Sequence, residues 1–399
     1  VRVLHLIHSV DPAGGGPAEG LRQLVSAGRA LGDVHEVLTL DAPDAACLRG
    51  FPEPLHALGP SYGRYAYTPR LVPWLADRVA RFDALVVHGL WQYHGIATRT
   101  AARRARVPYF VFCHGMLDPW FKRSHPLKHA KKRLYWEALE RTVLREADAV
   151  LFTTEEEARL APLSFGPLGA RATVVGFGLE LEAARSNETP DAFFARHPET
   201  RGRRIVLFLG RLHRKKGCDL LVDAFADVAA SDPALHLVMA GPDQTGWQRD
   251  LEAQARRRGI ASRVTWCGML EGASKWSALR AADVFALPSH QENFGIAVAE
   301  ALAVGLPVLI SDKVNIWREV VGDGAGHAGP DTAEDTTALL RHWLALDDDE
   351  RRAMRAHASA CFERRFRMSA AARRLREAMS GKRAPRPARD LHGSETKAL

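Results

Sequence analysis

A chain of 399 residues, 46% apolar and 26% charged, has ordinary globular composition and is long enough for two core-bearing domains. No apolar run approaches the roughly 18 residues of a membrane span, which excludes a spanning helix, and the five cysteines lack CxxC or metal-ligand spacing, which excludes a disulfide framework or cysteine metal site. A formal charge of +8 with pI near 9.4 points to an anionic ligand or an anionic membrane surface, although arginine-rich composition alone can produce it. The apolar N-terminus is interrupted by Asp11 and Pro12 too early for a signal peptide, and a cytoplasmic protein is expected.

In chain order, Val3 to Ile7 reads as a strand that runs into the loop AspProAlaGlyGlyGlyProAlaGluGly. Gly14, Gly15 and Gly16 precede Pro17, which suits the first turn of a helix with Leu21, Leu24, Val25 and Leu31 on its apolar positions. Without Cβ atoms such a loop lets backbone approach a phosphate, but the GxGxxG spacing of a dinucleotide fold is missing and a plain turn fits equally well. Ala84 to Val87 is a strand ending in HisGlyLeuTrp, and Tyr109 to Cys113 one ending in HisGlyMetLeuAspProTrp. His88 reads as structural or acceptor-lining. Pro126 to Ala147 is expected as one amphipathic helix with Leu127, Ala130, Leu134, Ala138 and Leu139 on one face. Lys122, Arg123, Lys128, Lys131, Lys132 and Arg133, near Trp120 and Phe121, are either a solvated face or a patch for anionic lipid headgroups.

The charged, small-residue stretch from Gly176 to Arg204 reads as an interdomain connection. Ile205 to Leu209 opens the second half as a buried strand, followed by GlyArgLeuHisArgLysLysGly, in which Arg214 and Lys215 are taken as solvated charges. Strand and glycine-turn units recur at Leu235 to Pro242 and Val264 to Gly268, a rhythm that implies a parallel sheet with helices on both faces. Asp283 to Leu287 is a strand stopped by Pro288. A polar loop, a helix from Gly295 to Val304 and a strand from Val308 follow, so a helix N-terminus points at the strand's carboxyl edge, where it favours an anion. Glu292 in the loop and Glu300 in the helix frame that opening. LeuAspAspAspGlu at Leu346 looks like a helix cap rather than a metal motif, Arg351 to Met379 reads as one long helix, and 381–399 as a disordered tail.

Glu292, seven residues and Glu300, with Asn293, Phe294 and Gly295 between them, resembles the glutamate-pair signature of retaining glycosyltransferase family 4, the glycosyl transferases group 1, of polysaccharide-assembly type. The resemblance implies an α/β fold of GT-B type: two facing Rossmann-like domains with parallel sheets and an interdomain cleft. It places the N-terminal acceptor-side domain at 1–180, the connection at 181–204, the nucleotide-sugar domain at 205–360 and a C-terminal helix at 361–380 packed back on the first domain. Carried over residue by residue, it implies that Gly15 and Gly16 face the donor phosphate and acceptor, that His114 contacts the donor sugar, and that Arg211 and Lys216 bind the diphosphate. Glu292 and the amides after it, at Asn293, Phe294 and Gly295, meet the sugar, and Glu300 the ribose. Asp118, Pro119 and Trp120 shape the acceptor pocket. Phe177 stands where the family usually has Asn, which alters local backbone contacts to the ligand.

The function expected is transfer of a hexose, mannose or glucose, from a nucleotide diphosphate sugar to a glycan or lipid-linked acceptor, with retention, without cofactor or metal and without nucleic acid. Fixed cations would stabilise the charge that grows on the departing phosphate oxygen. The alternatives are a GT-B epimerase, a phosphorylase with pyridoxal phosphate, and a non-enzymatic basic protein binding lipid or nucleic acid; the last leaves the joint presence of Arg211, Lys216, Glu292 and Glu300 unexplained.

Overall fold

Near-continuous apolar runs closed by glycine or proline make buried parallel strands, and thirteen of them build two sheets in the computed structural model, which describes residues 1–11, 16–51, 54–124, 126–180 and 189–381. The first sheet contains β1 (Arg2–Ile7), β2 (Val34–Thr39), β3 (Leu55–Ala57), β4 (Ala84–His88), β5 (Tyr109–Phe112), β6 (Ala149–Phe152) and β7 (Ala172–Val174), in the order β3-β2-β1-β4-β5-β6-β7. The second contains β8 (Arg204–Leu209), β9 (Leu235–Ala240), β10 (Val264–Gly268), β11 (Val284–Leu287), β12 (Val308–Ser311) and β13 (Gly326–Gly329), in the order β10-β9-β8-β11-β12-β13. Every pairing between these strands is parallel. The chain reverses its direction of travel across the sheet between β1 and β4 in one lobe and between β8 and β11 in the other. These are the two points where a doubly wound sheet opens a crevice at its carboxyl edge.

The helices around the sheets include α1 (Gly16–Ala30), α2 (Pro126–Tyr135), α3 (Glu155–Leu160), α4 (Ile296–Ala303), α5 (Asp348–Arg365) and α6 (Met368–Ser380). Asp347 caps α5, accepting from the Glu350 N–H at 2.8 Å while Glu350 accepts from the Asp347 N–H at 2.9 Å, so the acidic run at Leu346 is the reciprocal cap its letters suggest. The single helix expected from Arg351 to Met379 is two. Phe366, buried at the break, leaves the helical path, and its carbonyl accepts from Leu179 N–H of the first lobe at 2.9 Å. Beyond the break α6 lies against α1, with Arg374 Nε donating to the Val175 carbonyl at 2.9 Å and Arg376 to that of Leu31 at 3.0 Å. The described part of the connection is also folded: helix Pro190–Arg196 packs on helix Gly272–Ala281 of the second lobe, with Phe193 buried. The tail expected at 381–399 falls, beyond residue 381, outside the described residues.

The helix expected from Pro126 to Ala147 departs most from its reading. It runs as α2, a π turn at Trp136–Glu140 and a last piece at Arg141–Glu146, and its inner face is His129, Trp136, Glu140, Val143 and Leu144. His129 and Trp136 both stack on Phe165, at 4.4 and 5.1 Å between ring centroids. The leucine stripe therefore faces solvent, Leu127 being 87% and Leu134 77% exposed. Periodicity located the stripe correctly but could not say which side of the helix the domain would cover, because the aromatic side offered more area for burial.

Candidate active site

Two loops of the first lobe and two of the second meet at the crevice. Gly16 begins α1, and a Cβ built on it would lie 3.1 Å from Ile296 Cδ1, so the start of α1 reaches the start of α4 across the lobes. Gly15 and Gly14 lie outside the described residues. His114 follows β5 with φ of +50°, in the left-handed region, its ring stacked on Phe112 at 4.5 Å and its Nε2 2.9 Å from His88 Nδ1. Gly115, also left-handed, meets the second lobe: a Cβ there would lie 2.7 Å from Asn293 Cγ. Asn293 Nδ2 in turn donates to Thr153 Oγ1 at 3.1 Å, and Gln291 Nε2 to Asp118 Oδ2 at 2.9 Å.

In the second lobe the turn after β8 carries Arg211 and Lys216. Gly217, at φ +64°, ends it with no room for a side chain, since a Cβ would stand 2.1 Å from the Pro288 carbonyl oxygen. That close approach lays the basic turn along the loop after β11, and the Lys216 ammonium contacts the Glu292 carboxylate directly. Burial, with Lys215 and Arg211 beside it, pushes the Lys216 ammonium down to about 7, whereas the contact with Glu292 favours its charged form. Arg211 is exposed, within 3.4 Å of Gln244 Oε1. Lys215, expected as a solvated charge, instead lies over the rings of Trp120 and Phe121 at 5.6 and 5.8 Å, and Arg214 over Trp247 at 5.0 Å. The tight turn at Arg214–Lys216 turns the first two cations onto aromatic faces and the third into the site.

Gly295, at φ +82°, starts α4, whose free N–H groups open into the same crevice. Phe294 can meet a ligand only through its backbone amide, which is the contact the family resemblance implies. Its ring is buried between the lobes, edge-on to Phe177 at 5.1 Å and Phe366 at 5.6 Å. Phe177 fills this seam, which Gly20 leaves open: a Cβ on Gly20 would stand 1.9 Å from the Phe177 ring. Glu300 is buried on α4 and accepts from Lys275 Nζ at 2.5 Å; burial raises its pKa and Lys275 opposes the rise. Lys275 also acts electrostatically on Glu19 of α1, so it stands where both lobes face the crevice.

Sequence reasoning missed Lys275 and Glu157. Glu157 is buried and accepts from the Gly115 N–H at 2.6 Å and the Thr153 N–H at 2.8 Å, bracing the turn that holds His114. Its only mark in the sequence was the Thr154-to-Glu157 helix-cap spacing, and Thr154 does cap α3 through the Glu157 N–H. Asp118 and Trp120 of the first lobe and Gln291, Asp312, Trp317 and Asp331 of the second are among the lining of a cavity of about 380 Å³ between the lobes. Gln291 is 4% exposed and its Oε1 has no hydrogen-bond partner among the described residues.

Residues 190–360 match the family model described as Glycosyl transferases group 1, and residues 15–178 the one described as Glycosyl transferase 4-like domain. The D-inositol 3-phosphate glycosyltransferase of Nocardia farcinica is 36% identical over 212 residues, which are 50% of this chain and 47% of that protein. The enzyme of the same name from Nocardiopsis dassonvillei is 30% identical over 275 residues, 64% of this chain and 62% of that one. The chain thus spans about half the length of the first curated relatives it matches. Among solved structures, Anabaena HepE in complex with UDP superposes with TM-score 0.75 at 19% identity over 95% of this chain and all of that one. Sucrose-phosphate synthase from Thermosynechococcus elongatus superposes with TM-score 0.71 at 21% identity, over 94% and 97%. At these identities the likeness is one of fold: two Rossmann-like lobes of GT-B type.

Proposed function

Since the chain belongs to the glycosyl transferases group 1, we propose that it transfers a hexose from a nucleotide diphosphate sugar to a hydroxyl acceptor, with retention and without a metal. The observation that carries this reading is the convergence of Lys216, Glu292, Gly295 and Glu300 with Gly16 at the two switch points, beside His114 at the end of the neighbouring β5. In it the diphosphate lies against Arg211, Lys216 and the N-terminus of α4, which take up the charge of the departing phosphate. Glu300 holds the ribose, exchanging its contact with Lys275 for the sugar hydroxyls. Glu292 and the amides after it hold the hexose under His114. Glu292 orients the donor and forms no covalent intermediate; trapping of a glycosyl adduct on it would contradict the mechanism.

UDP-glucose is the favoured donor, because structures of the same fold carry UDP and glucose, and GDP-mannose is the other arm of the test. The acceptor enters from the cavity lined by Asp118, Trp120 and Gln291. Four carboxylates on that wall, Asp118, Glu156, Asp312 and Asp331, face Arg159, Lys313 and Arg318, so it offers paired donors and acceptors with little net charge, as a glycan requires. A thermal-shift panel of UDP, GDP and ADP sugars is expected to single out one base, a ligand at a hundredfold its Kd adding about 2.7 kcal/mol of stability. With that donor, label should pass to neutral oligosaccharides rather than to inositol 3-phosphate. Stabilisation by no nucleotide sugar would overturn the reading.

The outward leucines of α2 support a further part of it, a peripheral contact with an anionic bilayer. From Trp120 to Trp136 the chain has six Lys and Arg and no carboxylate, and Leu127 and Leu134 stand among them at helical spacing. Among the described residues no helix is long and apolar enough to cross a membrane. Changing Leu127 and Leu134 together to Glu is expected to abolish sedimentation with phosphatidylglycerol vesicles and leave donor binding unchanged. Equal sedimentation of the variant would remove the contact.

A further inference from the structure

Four histidines form a continuous row across the first lobe. His35 Nδ1 lies 2.9 Å from His5 Nε2, His5 Nδ1 lies 3.0 Å from His88 Nε2, and His88 Nδ1 lies 2.9 Å from His114 Nε2. The register explains the row. His35 pairs with Val3, His88 with Ile7 and Phe112 with His88, so each histidine stands two residues further along the next strand and all four share one face of the sheet. His5, His35 and His88 are buried, and only His114 reaches the crevice.

We propose that this row is a proton-ordered chain in which His35, His5 and His88 act as positioning residues that fix which nitrogen of His114 carries its hydrogen. Burial holds all four imidazoles below their ordinary range, His35 and His114 at about 4, so each ring is neutral and has one N–H. Three hydrogen bonds need one proton each. If His114 carries its hydrogen on Nε2, every ring must donate inward and His35 ends with an Nε2–H. If His114 carries it on Nδ1, every ring must donate outward and His35 ends with a bare Nε2. A mixed arrangement puts two hydrogens, or none, into one of the bonds.

The buried end chooses between the two. Among the described residues His35 Nε2 has no hydrogen-bond partner, and it faces the backbone of Gly28, where a Cβ would stand 2.1 Å away. A nitrogen lone pair against a Cα–H is tolerable, whereas a buried N–H aimed there is the rarer and costlier orphan. All four rings are therefore Nδ1–H tautomers, and His114, with Nε2 committed to His88, presents an N–H donor from its one remaining nitrogen. The sheet thus sets the polarity of a group at the site from about three strands away.

The test is long-range proton–nitrogen correlation on protein labelled with ¹⁵N-histidine, assigned through single His-to-Gln variants. The expected result at pH 7.5 is a protonated Nδ1 and a bare Nε2 in all four rings. An Nε2–H tautomer or an imidazolium in any of them overturns the proposal, with no substrate required. His5→Phe keeps a ring in place but cuts the chain. It is expected to leave His114 as a mixture of tautomers and to lower kcat about tenfold, by analogy with partners that orient other histidines, with the donor KM within twofold. An unchanged His114 spectrum and kcat in a folded His5→Phe protein would also overturn it, and should that variant not fold, the wild-type spectrum decides. The rate effect rests on the glycosyl-transfer reading and the proton order does not: absence of donor binding by the wild type would sink only that reading.

Discussion

Replacing Lys216 with Met is expected to lower kcat for sugar transfer about a hundredfold, or about 3 kcal/mol, while the protein stays folded. The reason lies in how the residue is held. Gly217 brings the basic turn within contact of the loop after β11, and Lys216 is half-buried there against Glu292 with Lys215 and Arg211 nearby. A cation in that environment is poorly solvated, so a diphosphate arriving beside it gains more than it would from a surface lysine. Charge on the bridging oxygen grows as the sugar bond breaks, and the loss is therefore expected in kcat more than in KM. Substituting Arg352, exposed on α5 and far along the chain from these loops, should leave the rate within twofold. A Lys216→Met enzyme with wild-type kcat would mean that leaving-group charge is stabilised elsewhere.

Gly217→Val is expected to be worse, costing stability as well as activity. A valine at φ +64° is strained by about 1–2 kcal/mol before any contact is considered. Its Cβ would then meet the Pro288 carbonyl at 2.1 Å, a backbone atom that cannot swing away as a side chain would. Relief requires the turns after β8 and β11 to separate, and that pulls Lys216 from Glu292. A total of about 3 kcal/mol corresponds to a fall in Tm of about 6–12 °C for a lobe of this size. Differential scanning calorimetry with a transfer assay checks both halves. A variant with unchanged Tm and activity would show that the two turns are not held against one another.

Much of this was legible in the sequence because parallel strands advertise themselves. Ile205 to Leu209 and Asp283 to Leu287 are apolar runs shut off by glycine or proline, and the loops after them carry the charged residues. What stayed hidden depends on partners distant along the chain. The leucine stripe of α2 has the right period, but only Phe165 and Trp136 decide which side is inside. Lys215 looks like a solvated charge until Trp120 arrives from the other lobe. Phe294 reads as part of a binding loop, and the pairing of Phe177 with Gly20 is what draws its ring into the seam. The histidine row needs strand order and register before His5, His35, His88 and His114 can be seen to share a face. Glu157 and Lys275 carry no local signal beyond a helix cap and a charge.

The most direct test of the central claim is the position of a bound donor. A crystal structure with a non-transferable analogue of the preferred nucleotide sugar should place the diphosphate within hydrogen-bonding distance of Lys216 and Arg211, the ribose on Glu300 and the hexose between Glu292 and His114. A nucleotide bound outside the crevice, or one whose diphosphate faces neither cation, would contradict it.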